Sequence, residues 1–178
     1  MQQRFIMTAF GHDRPGIVAD VTQILYENGC NLEDTSMTLL AGQFTLILLF
    51  SAGAADVADR LSKACRRLEQ ESGITAFFSL IAAEAAAAAV AGGRTRTLHV
   101  EGMDQAGIVY KISRFLADRK VNIIDLKSTV TASPESGATL YVMDIQVHLP
   151  AGLAADELDA GLSAVADDIQ VDITWSDA

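Results

Sequence analysis

The sequence predicts an α+β fold built twice: two four-stranded antiparallel sheets, each carrying two helices on one face. Three observations lead there. The stretch Gly11-His12-Asp13-Arg14-Pro15-Gly16-Ile17-Val18 recurs in degraded form 91 positions later as Gly102-Met103-Asp104-Gln105-Ala106-Gly107-Ile108-Val109. Each copy is followed by apolar residues at helical spacing, then by runs of strand character. In each half the order is strand, helix, strand, strand, helix, strand.

Phe5 to Phe10 has the length and residue types of a strand. After the Gly11–Gly16 turn, Ile17, Val18, Val21, Ile24 and Leu25 mark one face of a helix that should end near Asn28-Gly29. The second copy gives Ile108, Val109, Ile112, Phe115 and Leu116 at the same spacing. Strands follow at Cys30 to Leu40 and Phe44 to Phe50, joined by a tight turn at Ala41-Gly42-Gln43. Their counterparts are Val121 to Thr131 and Leu140 to Leu149, with a longer turn at 132–137 between them. Beyond that insertion the spacing becomes 97, so Leu61, Cys65 and Leu68 match Leu158, Leu162 and Val165 on a second helix. Final strands run from Ile74 to Ile81 and from Ile169 to Trp175. This order is the split βαβ, ferredoxin-like arrangement, and right-handed crossovers put the first and third strands of each half at the centre of its sheet. The expected division is a first domain at 1–83, an Ala/Gly-rich linker at 84–94, either a helical spacer or a loose connection, and a second domain at 95–178.

Composition narrows the function. Half of the residues are hydrophobic, enough for two cores. A net charge of −10 argues against sequence-independent contact with nucleic acid or an anionic membrane, both of which need a basic patch. No uninterrupted apolar run reaches the length of a spanning helix. Cys30 and Cys65 occupy non-equivalent places in the first half and have no counterparts in the second. They read as small buried hydrophobes in a reducing cytoplasm. His12, His99 and His148 have no His or Cys partner at metal-ligand spacing, and neither a nucleophile elbow nor a phosphate loop appears, so no catalytic residue, metal or cofactor is expected. Glu33 and Asp34 are adjacent carboxylates, but strand alternation would send them to opposite faces.

The repeated turn is where chemistry is expected. Asp13 stands where a side-chain oxygen can cap a helix, Pro15 suits a first helical turn, and Gly16 allows close approach to the backbone. Free amides and the positive end of the helix dipole can then receive a carboxylate or another small anion. The same pattern also serves a purely structural helix start.

Apolar strand, Gly-His-Asp-Arg-Pro-Gly-Ile-Val, amphipathic helix, Gly29-Cys30-Asn31-Leu32-Glu33-Asp34 and hairpin together resemble the ACT domain, a small ligand-sensing module of amino-acid metabolism. A tandem pair filling nearly the whole chain is similar to the glycine cleavage system transcriptional repressor family. The resemblance implies a small ligand such as an amino acid, held between two ACT units by the first turn and the start of the second strand. Carried over residue by residue, it implicates Asp13, Arg14, Gly16, Ile17 and Asn31 in the first unit, and Asp104, Gly107, Ile108 and Asn122 in the second. The second unit has Gln105-Ala106 in place of Arg14-Pro15, so the two sites are not equivalent. It implies a homo-oligomer acting through a protein partner, either a transcription factor or, alternatively, a metabolic enzyme for which the chain is the regulatory subunit. Direct nucleic-acid contact and membrane contact are not expected.

The helix-free sheet faces should differ. Alternation assigns Ile6, Phe10, Ile47, Leu49, Phe77 and Ile81 to that face in the first unit. Matching the copies gives Thr97, Glu101, Asp144, Gln146, Asp172 and Ser176 in the second. The first face should therefore be covered, by another subunit, the Ala-rich linker or a target protein, and the second should be wet.

Overall fold

The computed structural model describes residues 2–81, 93–132 and 139–176. The chain divides into two compact units, Met1–Ala89 and Val90–Ala178. The first holds β1 (Gln3–His12), α1 (Ile17–Glu27), β2 (Asn31–Leu40), β3 (Gln43–Ala52), α2 (Val57–Ser72) and β4 (Thr75–Leu80). The second holds β5 (Gly93–Met103), α3 (Ile108–Asp118), β6 (Asn122–Ala132), β7 (Thr139–Pro150), α4 (Ala155–Ile169) and β8 (Val171–Ser176). Gly93 and Arg94, the last two residues of the expected linker, belong to β5; most of that linker and most of the longer turn of the second hairpin lie outside the described residues.

The sheets run β2-β3-β1-β4 and β6-β7-β5-β8, every pairing antiparallel. First and third strands of each unit are central, as the crossover rule requires. Phe5, Met7 and Ala9 of β1 and Phe44, Leu46, Leu48 and Phe50 of β3 point toward the helices and are buried. They meet Ile17, Val21, Ile24 and Leu25 of α1 and Val57, Leu61, Cys65 and Leu68 of α2 in one core. The second unit repeats the plan with Leu98, Val100, Met143, Ile145 and Val147 against Ile108, Ile112, Leu116, Leu158 and Leu162. Burying one such side chain contributes about 1.5–3 kcal/mol relative to leaving it exposed, so either core is the main stabilising term of its unit.

Three local expectations are corrected. Ile169 closes α4 instead of opening a strand; it is 3% exposed and continues the apolar face set by Leu158 and Leu162, and Gln170 at φ 52 then ends the helix. Val165, expected in that face, is half-buried and packs against the same core. Glu33 and Asp34 share the helix-free face, because a bulge between Leu32 and Asp34 breaks the alternation. Glu33 reaches Arg4 there, whereas Asp34 lines a hollow with Ile6, Ile47 and Leu49. Lastly, Thr8 pairs with Phe77 and its counterpart His99 pairs with Thr174, so register matches Phe77 to Thr174 and not to Asp172. Both replacements are polar, and the contrast between the faces stands.

Candidate functional site

The turn into α1 is built around backbone conformation. Gly16 has φ 90 and ψ −7 and is itself the residue that caps α1, without a side-chain cap. Pro15 before it and the Ile17 N–H donating to the Arg14 carbonyl at 3.4 Å give the signature of a type II turn, with proline at the second position and glycine at the third. Gly107 repeats it at φ 101 and ψ −6, with Ala106 in the proline's place. An added Cβ would meet only the Arg14 Nη1 at 3.9 Å beside Gly16 and nothing within 4 Å beside Gly107, so positive φ and not crowding demands glycine. Two expectations are thereby corrected: Asp13 caps no helix amide through its side chain, and Pro15 precedes the helix.

The turn is fastened at its base. The Asp13 N–H donates to the Gly42 carbonyl at 2.9 Å, and the Asp104 N–H to the Thr139 carbonyl at 3.2 Å, tying each turn to a hairpin. Inside α1 the first hydrogen bond runs from the Asp20 N–H to the Gly16 carbonyl at 3.0 Å, and in α3 from the Lys111 N–H to the Gly107 carbonyl at 2.9 Å. The amides between cap and first bond, those of Val18 and Ala19 and of Val109 and Tyr110, therefore have no intrahelical carbonyl and no capping side chain. Ile17 and Ile108 are 3% and 2% exposed, so their side chains belong to the cores and only their backbone faces the turn.

Arg14 bends back onto α1. Its Nη2 lies 2.5 Å from the Asp20 carboxylate, an exposed pair worth little and easily exchanged for another anion. In the second unit Gln105 instead donates to the Ile169 carbonyl, and Lys111, at Asp20's equivalent position, pairs with Asp168. Of the sequence candidates, Asp13, Arg14, Gly16 and Ile17 gather at one turn, and Asp104, Gly107 and Ile108 at the other.

Asn31 and Asn122 stand apart from these turns. Asn31 opens β2 opposite Ser51, whereas the turn leaves β1 at His12, opposite Gln43. Eight strand residues separate those rows, about 26 Å at the usual strand rise. Asn122 opposite His148 repeats the separation. The cause is simple: α1 runs back along the sheet, so the chain re-enters at the far end. The two groups of candidate residues in one unit therefore lie too far apart to touch one small molecule together.

Beside Asn31 lies a cluster that the alternation argument missed. The Glu33 carboxylate accepts from the Arg4 Nε at 2.8 Å, and the Ser51 hydroxyl and Arg4 together hold its pKa below the usual carboxylate value, the hydroxyl having the larger effect. Ser51 is 2% exposed and also accepts from the Gln2 amide at 2.9 Å. The only advance signal was two successive acidic residues at the start of an otherwise alternating strand. Burial pushes both thiols, Cys30 and Cys65, above the ordinary cysteine value. Among the described residues no group of three metal-ligating side chains converges, and no helix is long and apolar enough to cross a membrane.

Residues 3–79 match the family model described as ACT domain. A UPF0237 protein of Methanopyrus kandleri is 36% identical over 72 residues, covering 40% of this chain and 80% of that protein. The glycine cleavage system transcriptional repressor of Escherichia coli is 28% identical over 172 residues, covering 94% of this chain and 86% of that one. A crystal structure of a protein of unknown function from Galdieria sulphuraria superimposes with a TM-score of 0.83 at 30% identity, covering 100% of this chain and 99% of the other. With the turn geometry and the sheet order, these likenesses show that the chain belongs to the ACT-domain family.

Proposed function

We propose that this protein is a non-enzymatic regulator that binds a small metabolite, an amino acid above all, and passes the binding event to a protein partner. The observation that carries this reading is the repeated glycine-capped helix start, whose first amides have neither an intrahelical carbonyl nor a capping side chain. A carboxylate suits those donors and the positive end of the helix. The opposite half-site, Asn31 or Asn122 at the start of a β2-type strand, supplies an amide able to bond the other polar group of the ligand. Since the half-sites of one unit lie about 26 Å apart, the ligand sits where the turn of one unit meets the strand start of another.

Ligand binding then favours whichever arrangement of units closes the half-sites together, and it can shift the equilibrium only by its difference in affinity for the open and closed arrangements. The partner reads that arrangement. The likeness to the glycine cleavage repressor over nearly the whole chain favours a transcription factor as that partner. The net charge of −10 favours control through protein contact over direct DNA contact. A metabolic enzyme in the same role is the alternative, and co-purification followed by identification of the companion protein distinguishes the two. The ligand itself is sought by thermal-shift screening of metabolite-free protein against the amino acids. A concentration-dependent rise in melting temperature for one or a few of them supports the reading, and no shift with any at millimolar concentration overturns it.

A further inference from the structure

The duplication supplies an internal control for surface chemistry. Both units fold on the same plan, yet the helix-free face of the first carries Ile6, Phe10, Ile47 and Phe77, which are 37%, 44%, 42% and 58% exposed. At the same register positions the second unit has Thr97, Glu101, Asp144 and Thr174, with His99 Nδ1 hydrogen-bonded to Asp144 at 2.8 Å. An apolar face is therefore no requirement of the fold, since its sister unit does without one.

We infer that the first unit's open sheet face is a dimerisation surface, stacked on the same face of a second copy of this chain. Three features favour a second copy over a different protein. Around Leu49, Ile6, Ile47, Phe77 and Phe10 the face carries hydroxyls, from Thr8, Ser36, Thr38, Thr45, Thr75 and Ser79, and a neutral surface of this kind can lie against itself. Its charges are few and sit toward one end: Arg4 and Glu33 neutralise each other at 2.7 Å, which leaves Asp34, opposite Leu49 on the edge strand β2, as the one unneutralised carboxylate bordering the apolar patch among the described residues. The corresponding face of the second unit carries Lys127, paired with Asp125, and beyond that pair Glu101, Asp144 and Asp172, so it would set like charges together in a symmetric stack and would strand charge against apolar surface in a mixed one.

Size agrees as well. Four strands of six to ten residues make a face of roughly 500 Å² at ordinary strand spacing and rise. Two such faces bury on the order of 1,000 Å², the lower end for a specific contact, so a reversible dimer is expected.

Sedimentation equilibrium of the full chain from about 1 to 100 µM tests this. The expected result is a weight-average mass rising from one chain toward two. The double substitution Ile47→Asp with Phe77→Thr, which installs what the second unit carries, should keep the far-UV circular dichroism and weaken association more than about tenfold. Side-chain footprinting gives an independent readout, with Ile47 and Phe77 expected to become protected as concentration rises. A wild-type chain that stays monomeric throughout, a dimer untouched by the double substitution, or protection that does not depend on concentration would each overturn the proposal. Should the double variant lose its fold, the wild-type footprint decides alone.

Discussion

Ala106 occupies the position that Pro15 holds in the first unit, one residue before a glycine with the same left-handed φ. Proline there fixes the turn and removes freedom from the unfolded chain, and the first unit shows that no N–H is needed at that place. Ala106→Pro should raise stability by about 0.4–1 kcal/mol, read as a higher urea midpoint with unchanged slope. A fall would mean that the second turn departs from type II geometry. Glu33 gives a pH-dependent counterpart. Its folded pKa lies below 4.5, so the carboxylate stabilises the fold fully at neutral pH, and this contribution disappears as pH falls from 4.5 through the lowered value. Glu33→Gln should therefore lose stability at pH 7, and the gap to the wild type should narrow as pH falls below 4.5, as followed by chemical denaturation. At this scale the sequence was only partly legible. Pro15-Gly16 carried the type II signature, but Asp13 nearby offered a competing reading as a side-chain cap, and composition alone does not say which residue takes positive φ.

The helices and strands were the most legible part, since apolar spacing at Ile17, Val21, Ile24 and Leu25 and alternation along β1 and β3 are what the cores require. Errors fell where one pattern borrowed from another: Ile169 fits a strand by composition and a helix by spacing, and the bulge at Glu33 is invisible to any strict alternation. The first hairpin offers a direct check. Its two-residue turn puts Ala41 at φ 49 and Gly42 at φ 75, the conformation that asparagine followed by glycine adopts most readily. Ala41→Asn should stabilise the first unit by up to about 1 kcal/mol, visible as a rise in melting temperature, because it relieves a left-handed alanine. No change or a loss would show that the strands, and not the turn, set this register.

For the molecule as a whole, duplication was the most informative sequence signal, and it announced two cores, two sheets and two candidate turns together. It did not reveal that Asn31 and the Asp13 turn lie at opposite ends of a unit, since that follows from how α1 folds back and which rows of β3 each element meets. The proposed ligand site accordingly draws on two units, each contributing a different end. Calorimetric titration of the ligand identified by screening, into wild-type protein and into the separate variants Asp13→Ala and Asn31→Ala, tests this most directly. Both variants should fold normally and each should weaken binding at least about tenfold, a loss of about 1.4 kcal/mol, since in the proposed site the Asp13 carboxylate meets the ligand's ammonium group beside the free helix amides and Asn31 bonds its far end. Wild-type affinity in either folded variant would contradict the account.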